Sequence, residues 1–143
     1  MAFFELITPR DMFEKLRRES QRLNSDLSVD NVFNFFVTGY HLSDYVRKAS
    51  VVPEQALSAF LEDPDLKDCR DLCDKGKHLR LSKRADPKTA IWRGSLGGAP
   101  LNALSINGGD RWVLLSGDRQ IDVKWLAERV IAKWRGFLEA HGL

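Results

Sequence analysis

Apolar residues recur every three to four positions along most of the chain, which is the spacing of helices that bury one face. Thr8, Ser28 and Asp122 stand where a side-chain oxygen can cap the first turn of such a helix. The pattern predicts helices from Pro9 to about Asn24, from about Val29 to Ala49, from Pro53-Glu54 to the stop at Asp63-Pro64, from about Asp65 to Lys77, and from Val123 to about Ala140. Helix therefore dominates the predicted structure.

The predicted second helix is the most apolar of these, with apolar residues around much of its circumference. Such a helix is expected at the centre of a bundle. Gly39 lies inside it, although a glycine costs roughly 1 kcal/mol in a helix interior. We therefore expect another helix to approach closely at Gly39.

The pattern changes before the last helix, where short runs have β character. Strands are predicted over Thr89–Arg93, Leu101–Ile106 and Arg111–Leu115. Asn107–Asp110 is typical of a hairpin turn, and Ser116–Arg119 is a further turn. The predicted fold class is α+β, mainly α: a helical bundle with a small antiparallel β-sheet inserted before the C-terminal helix, in a single domain of residues 1–143.

Composition points to a cytoplasmic protein with no membrane partner. No apolar run approaches the roughly 20 residues that a membrane helix needs, and the first residues lack the features of a signal peptide. Cys69 and Cys73 lie one turn apart in a predicted helix, which is poor disulfide geometry, so both are expected to be reduced core residues. No phosphate-binding glycine loop, dinucleotide fingerprint or His-Glu-x-x-His pair occurs, so no cofactor or metal is expected.

The formal net charge is only +2, but the charges are unevenly distributed. The segment 75–88, which we call the basic segment, contains six cationic residues, His78 and only one acidic residue, Asp86. The cations are Lys75, Lys77, Arg80, Lys83, Arg84 and Lys88. Such a run suits a partner that carries phosphates, and it is also common as plain solvated surface.

Polar side chains on the apolar second helix form another group of candidates. Tyr40, His41 and Asp44 lie within about one turn of one another. An ionised carboxylate on so apolar a helix is costly unless it is paired, so we expect Asp44 to pair with a cation from the segment 70–78, where Asp74 adds a further acid. This network either supports a functional site or only ties two helices together.

Arg70 and His78 are the side chains that cleavage of RNA without a metal would need. A histidine that titrates near neutrality can take the proton of a 2′-hydroxyl. A guanidinium stabilises the negative charge that develops on the phosphate. Lys77 lies two turns from Arg70 on the same predicted helix face and would contact phosphate as well.

In this helical setting, Arg70-Asp71 followed by His78 resembles the signature of the HEPN superfamily, which is an arginine, a polar residue and, after four to six intervening positions, a histidine. Here seven residues lie between Arg70 and His78, one more than that signature has. That superfamily includes metal-independent ribonucleases of toxin and phage-defence systems, which act as dimers. The resemblance covers the helices alone. It implies a domain that binds or cleaves RNA, with Arg70 and His78 as catalytic residues, and it implies a homodimer.

Two other functions stay open on the sequence. The chain could be a non-catalytic interaction module that docks a protein partner through its hairpin edge or its aromatic residues. It could also hold a small ligand in a pocket between the second and fourth helices. The sequence does not identify a substrate or a partner.

Overall fold

A computed structural model describes residues 5–78, 88–92, 111–116 and 118–143, and of residues 76–78, 90–92, 111 and 116 only the backbone. The helices are α1 (Pro9–Ser25), α2 (Val29–Ala49), α3 (Glu54–Leu61), α4 (Pro64–His78) and α5 (Val123–Ala140). The strands are β1 (Lys88–Trp92), β2 (Arg111–Ser116) and β3 (Arg119–Asp122). The prediction of a mainly helical fold with a small antiparallel sheet before the last helix is confirmed.

The helices begin at the capping residues that the sequence indicates. Thr8 Oγ1 accepts a hydrogen bond from the N–H of Asp11 at 3.1 Å, and the Asp11 carboxylate accepts one from the N–H of Thr8 at 2.9 Å. Ser28 and Asp122 each accept a hydrogen bond from the third residue of α2 and α5. These bonds satisfy N–H groups that have no partner inside a helix, which fixes where each helix starts.

The sheet has the strand order β1-β2-β3, and both pairings are antiparallel. β3 is not predicted by the sequence pattern, which ends at the turn before it. The strand runs on from that turn, with Arg119 paired to Ser116, and leads directly into α5. This strand has four residues, of which only one is an isoleucine, so it shows no alternating apolar pattern that would predict a strand. The predicted strand Leu101–Ile106 and hairpin turn Asn107–Asp110 lie outside the described residues.

α2 lies at the centre of the bundle and contacts α1, α3, α4 and α5. A Cβ added at Gly39 would lie 3.2 Å from Sγ of Cys69 on α4 and 3.5 Å from the side chain of Val130 on α5. The indole N–H of Trp134 on α5 donates a hydrogen bond to the carbonyl of Gly39 at 2.8 Å. The close approach predicted at Gly39 is confirmed, and three helices make it rather than one, because Leu16 of α1 would lie 3.6 Å from the same Cβ.

The apolar faces of the helices are turned toward this common core. Its largest fully buried side chains are Phe13, Leu16, Leu23, Phe35, Phe36, Leu42, Leu57, Leu66, Leu114, Leu126, Trp134 and Leu138. Both cysteines are free and buried, as predicted. Within the described part of the chain, no helix has the length and apolar character needed to cross a membrane.

Candidate functional site

The contact between α2 and α4 brings together polar residues that the sequence singles out. The helices approach closely because Gly39 has no side chain and leaves room for Cys69, whose thiol donates a hydrogen bond to the carbonyl of Phe36 at 3.5 Å. Tyr40 follows Gly39 on α2, and Arg70 follows Cys69 on α4. The apolar contact therefore sets the spacing of the polar residues beside it.

Tyr40 is affected by charges on both helices. Burial raises the pKa of its phenol most, Asp74 raises it further, and Arg70 opposes this rise. Because such effects weaken with distance, Tyr40, Arg70 and Asp74 form one electrostatic group, which we call the α2–α4 cluster. A tyrosine phenol is ordinarily protonated at neutral pH, and the raised pKa of Tyr40 moves its ionisation further from neutrality, so it can donate a hydrogen bond there.

Arg70 is hydrogen-bonded to its neighbour Asp71 and remains partly exposed to solvent. Its Nε and Nη2 each lie 3.2 Å from Oδ1 of Asp71, and its side chain is 33% exposed. A guanidinium carries five N–H donors, and this contact directs only part of them at the carboxylate. The exposed part of Arg70 can therefore donate to an anion such as a phosphate.

Asp44 pairs within its own helix. Its Oδ1 lies 3.3 Å from Nη1 of Arg47, and 55% of its side chain is exposed. The apolar environment expected for Asp44 is therefore wrong, whereas its pairing with a cation of the segment 70–78 stays a prediction, because the side chains of residues 76–78 are not described. α2 is central, but position 44 lies on the side that faces water, so the carboxylate is not desolvated and requires no partner from α4.

The other predicted site residues are described less completely. His41, Asp74 and Lys75 are partly buried, and each interacts with another group. Lys77 and His78 end α4, which extends one residue beyond its predicted end, and their side chains are not described. Arg70 and His78 are eight residues apart on α4, or about 12 Å along its axis. Three cations of the basic segment lie outside the described residues: Arg80, Lys83 and Arg84.

A pocket of about 270 Å³ opens between α2, α4 and the start of β1. It is lined by Val29, Val32, Phe33, Phe36, Leu72, Lys75 and Thr89. The sequence suggests a pocket between these helices but does not single out Phe33 or Thr89 for it. The sequence feature that could have indicated these residues is the apolar surface of α2, which is wider than one buried face requires. Val29 and Phe33 belong to the part of this surface that stays exposed, at 66% and 38%.

Neither cysteine has the character of a reactive thiol. Cys69 is fully buried, and burial raises its pKa well above the ordinary value for a thiol, with a smaller contribution from Cys73. A thiol of this kind behaves as a small apolar residue. The described residues contain no group of three or more His, Cys, Asp or Glu side chains placed to hold a metal ion.

The chain matches no known protein family, no curated protein and no solved structure. Its function has to be inferred from the α2–α4 cluster and the pocket beside it.

Proposed function

We propose that this protein binds RNA across α2 and α4 and cleaves it without a metal ion. The observation that carries the proposal is the α2–α4 cluster, in which a partly exposed Arg70 lies within electrostatic reach of Tyr40 and Asp74. Arg70 is the cation for the phosphate, and His78, at the end of the same helix, is the base. Lys75 and Lys77 and the rest of the basic segment attract the RNA backbone.

The proposed cleavage exchanges one bond and moves two protons, one from the 2′-hydroxyl to His78 and one from solvent to the departing 5′-oxygen. His78 takes the proton of a 2′-hydroxyl, whose oxygen forms a bond to the adjacent phosphorus while the bond from phosphorus to the 5′-oxygen breaks. The departing 5′-oxygen gains a proton, which leaves a cyclic 2′,3′-phosphate and a 5′-hydroxyl. Arg70 stabilises the negative charge on the phosphate oxygens. Tyr40, as a protonated phenol, supports the same charge by donating a hydrogen bond.

Salt and substrate chemistry test the proposal. Affinity for single-stranded RNA should fall linearly with salt on a logarithmic plot, because each phosphate contact releases a counterion. Cleavage should persist in EDTA and should spare a DNA copy of the substrate, which has no 2′-hydroxyl. If the protein neither binds nor cuts a mixed pool of RNAs at low salt, the proposal fails.

Two substitutions separate binding from chemistry. His78→Ala should abolish cleavage and preserve most of the binding, because lysine and arginine make the phosphate contacts. Arg70→Ala should reduce both. Arg17→Ala is a matched control, since Arg17 is an exposed arginine of α1 that, like Arg70, pairs with a carboxylate of its own helix. Equal effects of the Arg17 and Arg70 substitutions would show that Arg70 acts only through general charge.

A protein-interaction module is the second candidate, and Trp125 favours it. This residue of α5 is 53% exposed, and exposed tryptophans are enriched where proteins bind other proteins. Loss of a protein partner on Trp125→Ala, with no RNA binding by the wild type, would favour this function. The homodimer that the HEPN resemblance implies stays a prediction, which the molar mass in solution tests.

A further inference from the structure

We propose that the pocket between α2, α4 and β1 receives one unpaired base of the bound RNA, with the base stacked on Phe33. This inference rests on the proposed RNA-binding function and adds to it a subsite that reads the nucleotide beside the α2–α4 cluster.

Phe33 differs from the other phenylalanines of its helix. Phe35 and Phe36 are fully buried and meet edge to face, with ring centroids 5.0 Å apart. Phe33 is 38% exposed, and Val29, one turn earlier, is 66% exposed. Both line the pocket. Core packing therefore does not account for Phe33, and an aromatic face left accessible at a pocket is the usual platform for an unpaired base.

The pocket has the two kinds of surface that a nucleotide presents. Val32, Phe36 and Leu72 form apolar walls that suit the faces of a base. Lys75 and Thr89 add a cation and a hydroxyl to the same lining, and these suit a phosphate and the polar edge of a base.

The pocket also lies next to the residues proposed for catalysis. Phe36 is one turn before Tyr40 on α2, while Leu72 and Lys75 flank Asp74 on α4. Lys75 and His78 are three positions apart on α4, or about 4.5 Å along the helix axis. A strand anchored by one base here would run its phosphates past the C-terminal end of α4. The base in the pocket then helps to determine which phosphodiester reaches His78.

The test compares two oligonucleotides and four proteins. The probes are a 2′-O-methyl oligoadenylate, which cannot be cut by this chemistry, and the same chain with abasic sites throughout. Wild-type protein should bind the oligoadenylate about 5- to 140-fold more tightly, as expected for one stacked base. Phe33→Ala should lose this preference and bind both probes like the abasic chain, whereas Phe33→Tyr should retain it. Trp125→Ala controls for the loss of an exposed aromatic side chain elsewhere.

Each alternative outcome has a definite reading. Equal binding of the two probes by the wild type overturns the base pocket and leaves the RNA-binding proposal standing. Binding of neither probe, nor of unmodified RNA, overturns both. If Phe33→Ala still binds the oligoadenylate more tightly than the abasic chain but changes the molar mass in solution, the exposed surface around Phe33 joins two copies of the chain. The base pocket is then refuted. Circular dichroism of Phe33→Ala verifies that the helices remain intact.

Discussion

Two of the contacts that α4 and α5 make within the fold differ in kind. The first, which we call the Gly39 junction, is apolar and closed to solvent. Gly39 of α2 lies against Cys69 of α4 and against Val130 and Trp134 of α5, and all four residues are buried. Shape decides this contact, because an interior packed as densely as a crystal has no room for a displaced atom.

The second contact, which we call the charged seam, follows the aspartates of α4. Asp65 lies 2.7 Å from Nζ of Lys133 and 3.2 Å from Nε of Arg129, both on α5. Asp68, one turn later, accepts a hydrogen bond from Arg119 of β3. The cations of the seam are 35% to 52% exposed. Water competes for these charges, so the seam should orient α4 while stabilising it less than the junction does.

The largest expected effect is that of Trp134→Ala. The substitution removes a fully buried indole that also packs against Phe60 and Phe137, and it should lower the free energy of unfolding by about 3–5 kcal/mol. Urea denaturation followed by circular dichroism measures the change. Trp125→Ala is the matched control and should change stability by less than about 0.5 kcal/mol, because that side chain is 53% exposed. Similar losses for the two would contradict the distinction between junction and surface.

The next effect tests shape within the junction. Gly39→Ala should destabilise by about 1 kcal/mol, because crowding against Cys69 outweighs the gain in helix propensity. Cys69 Sγ is the nearest neighbour of the added methyl group at 3.2 Å, and its hydrogen bond to Phe36 limits its movement. Cys69→Ala alone should also destabilise, by leaving a cavity. The double variant should be more stable than the sum of the two losses predicts. Strict additivity in a double-mutant cycle would show that the two side chains do not compete for space.

The sequence predicts the junction better than the seam. Helical spacing identifies the buried faces, and capping residues such as Thr8 and Ser28 fix where helices start, because both signals lie within one turn of chain. A glycine within an apolar helix likewise indicates close contact without revealing the partner. The buried position of both cysteines follows from the same period.

Contacts between distant parts of the chain are not encoded in a local period. Asp68 and Arg119 are 51 residues apart, and Arg119 lies in a strand too short to be recognised. The period shows that position 44 is polar on an apolar helix, but the packing of the other helices decides that it faces water. Phe33 belongs to the apolar surface of its helix, and only the arrangement of α4 and β1 leaves it at an open pocket.

An effect of up to about 1 kcal/mol, no larger than that of Gly39→Ala, is expected for Asp65→Asn at neutral pH. Burial raises the pKa of the Asp65 carboxyl, but the hydrogen bonds and charges of Lys133 and Arg129 together outweigh it, so the pKa is lowered below 3.8. A carboxyl with a lowered pKa stabilises the fold above its unfolded value and loses that contribution as the pH falls through its folded value. The stability difference between wild type and Asp65→Asn should therefore shrink on acidification below about pH 4.

Asp68→Asn should have the smallest effect, under about 0.5 kcal/mol at neutral pH. Burial raises the pKa of Asp68 above 3.8, and the charge and hydrogen bond of Arg119 offset only part of that rise. The pH dependence is therefore opposite to that of Asp65. The contribution of Asp68 to folding stability is fully present below pH 3.8 and is lost as the pH rises through the folded pKa. Ionised Asp68 therefore destabilises the fold near neutral pH, and asparagine keeps an oxygen that can accept a hydrogen bond from Arg119.

Urea titrations from neutral pH to about pH 3 compare the two aspartates. Acidification should make the wild type more stable relative to Asp68→Asn, whereas it should remove the stability advantage of the wild type over Asp65→Asn. Parallel pH profiles for the two variants would mean that burial does not govern Asp68, and that the seam acts as one set of equivalent ion pairs.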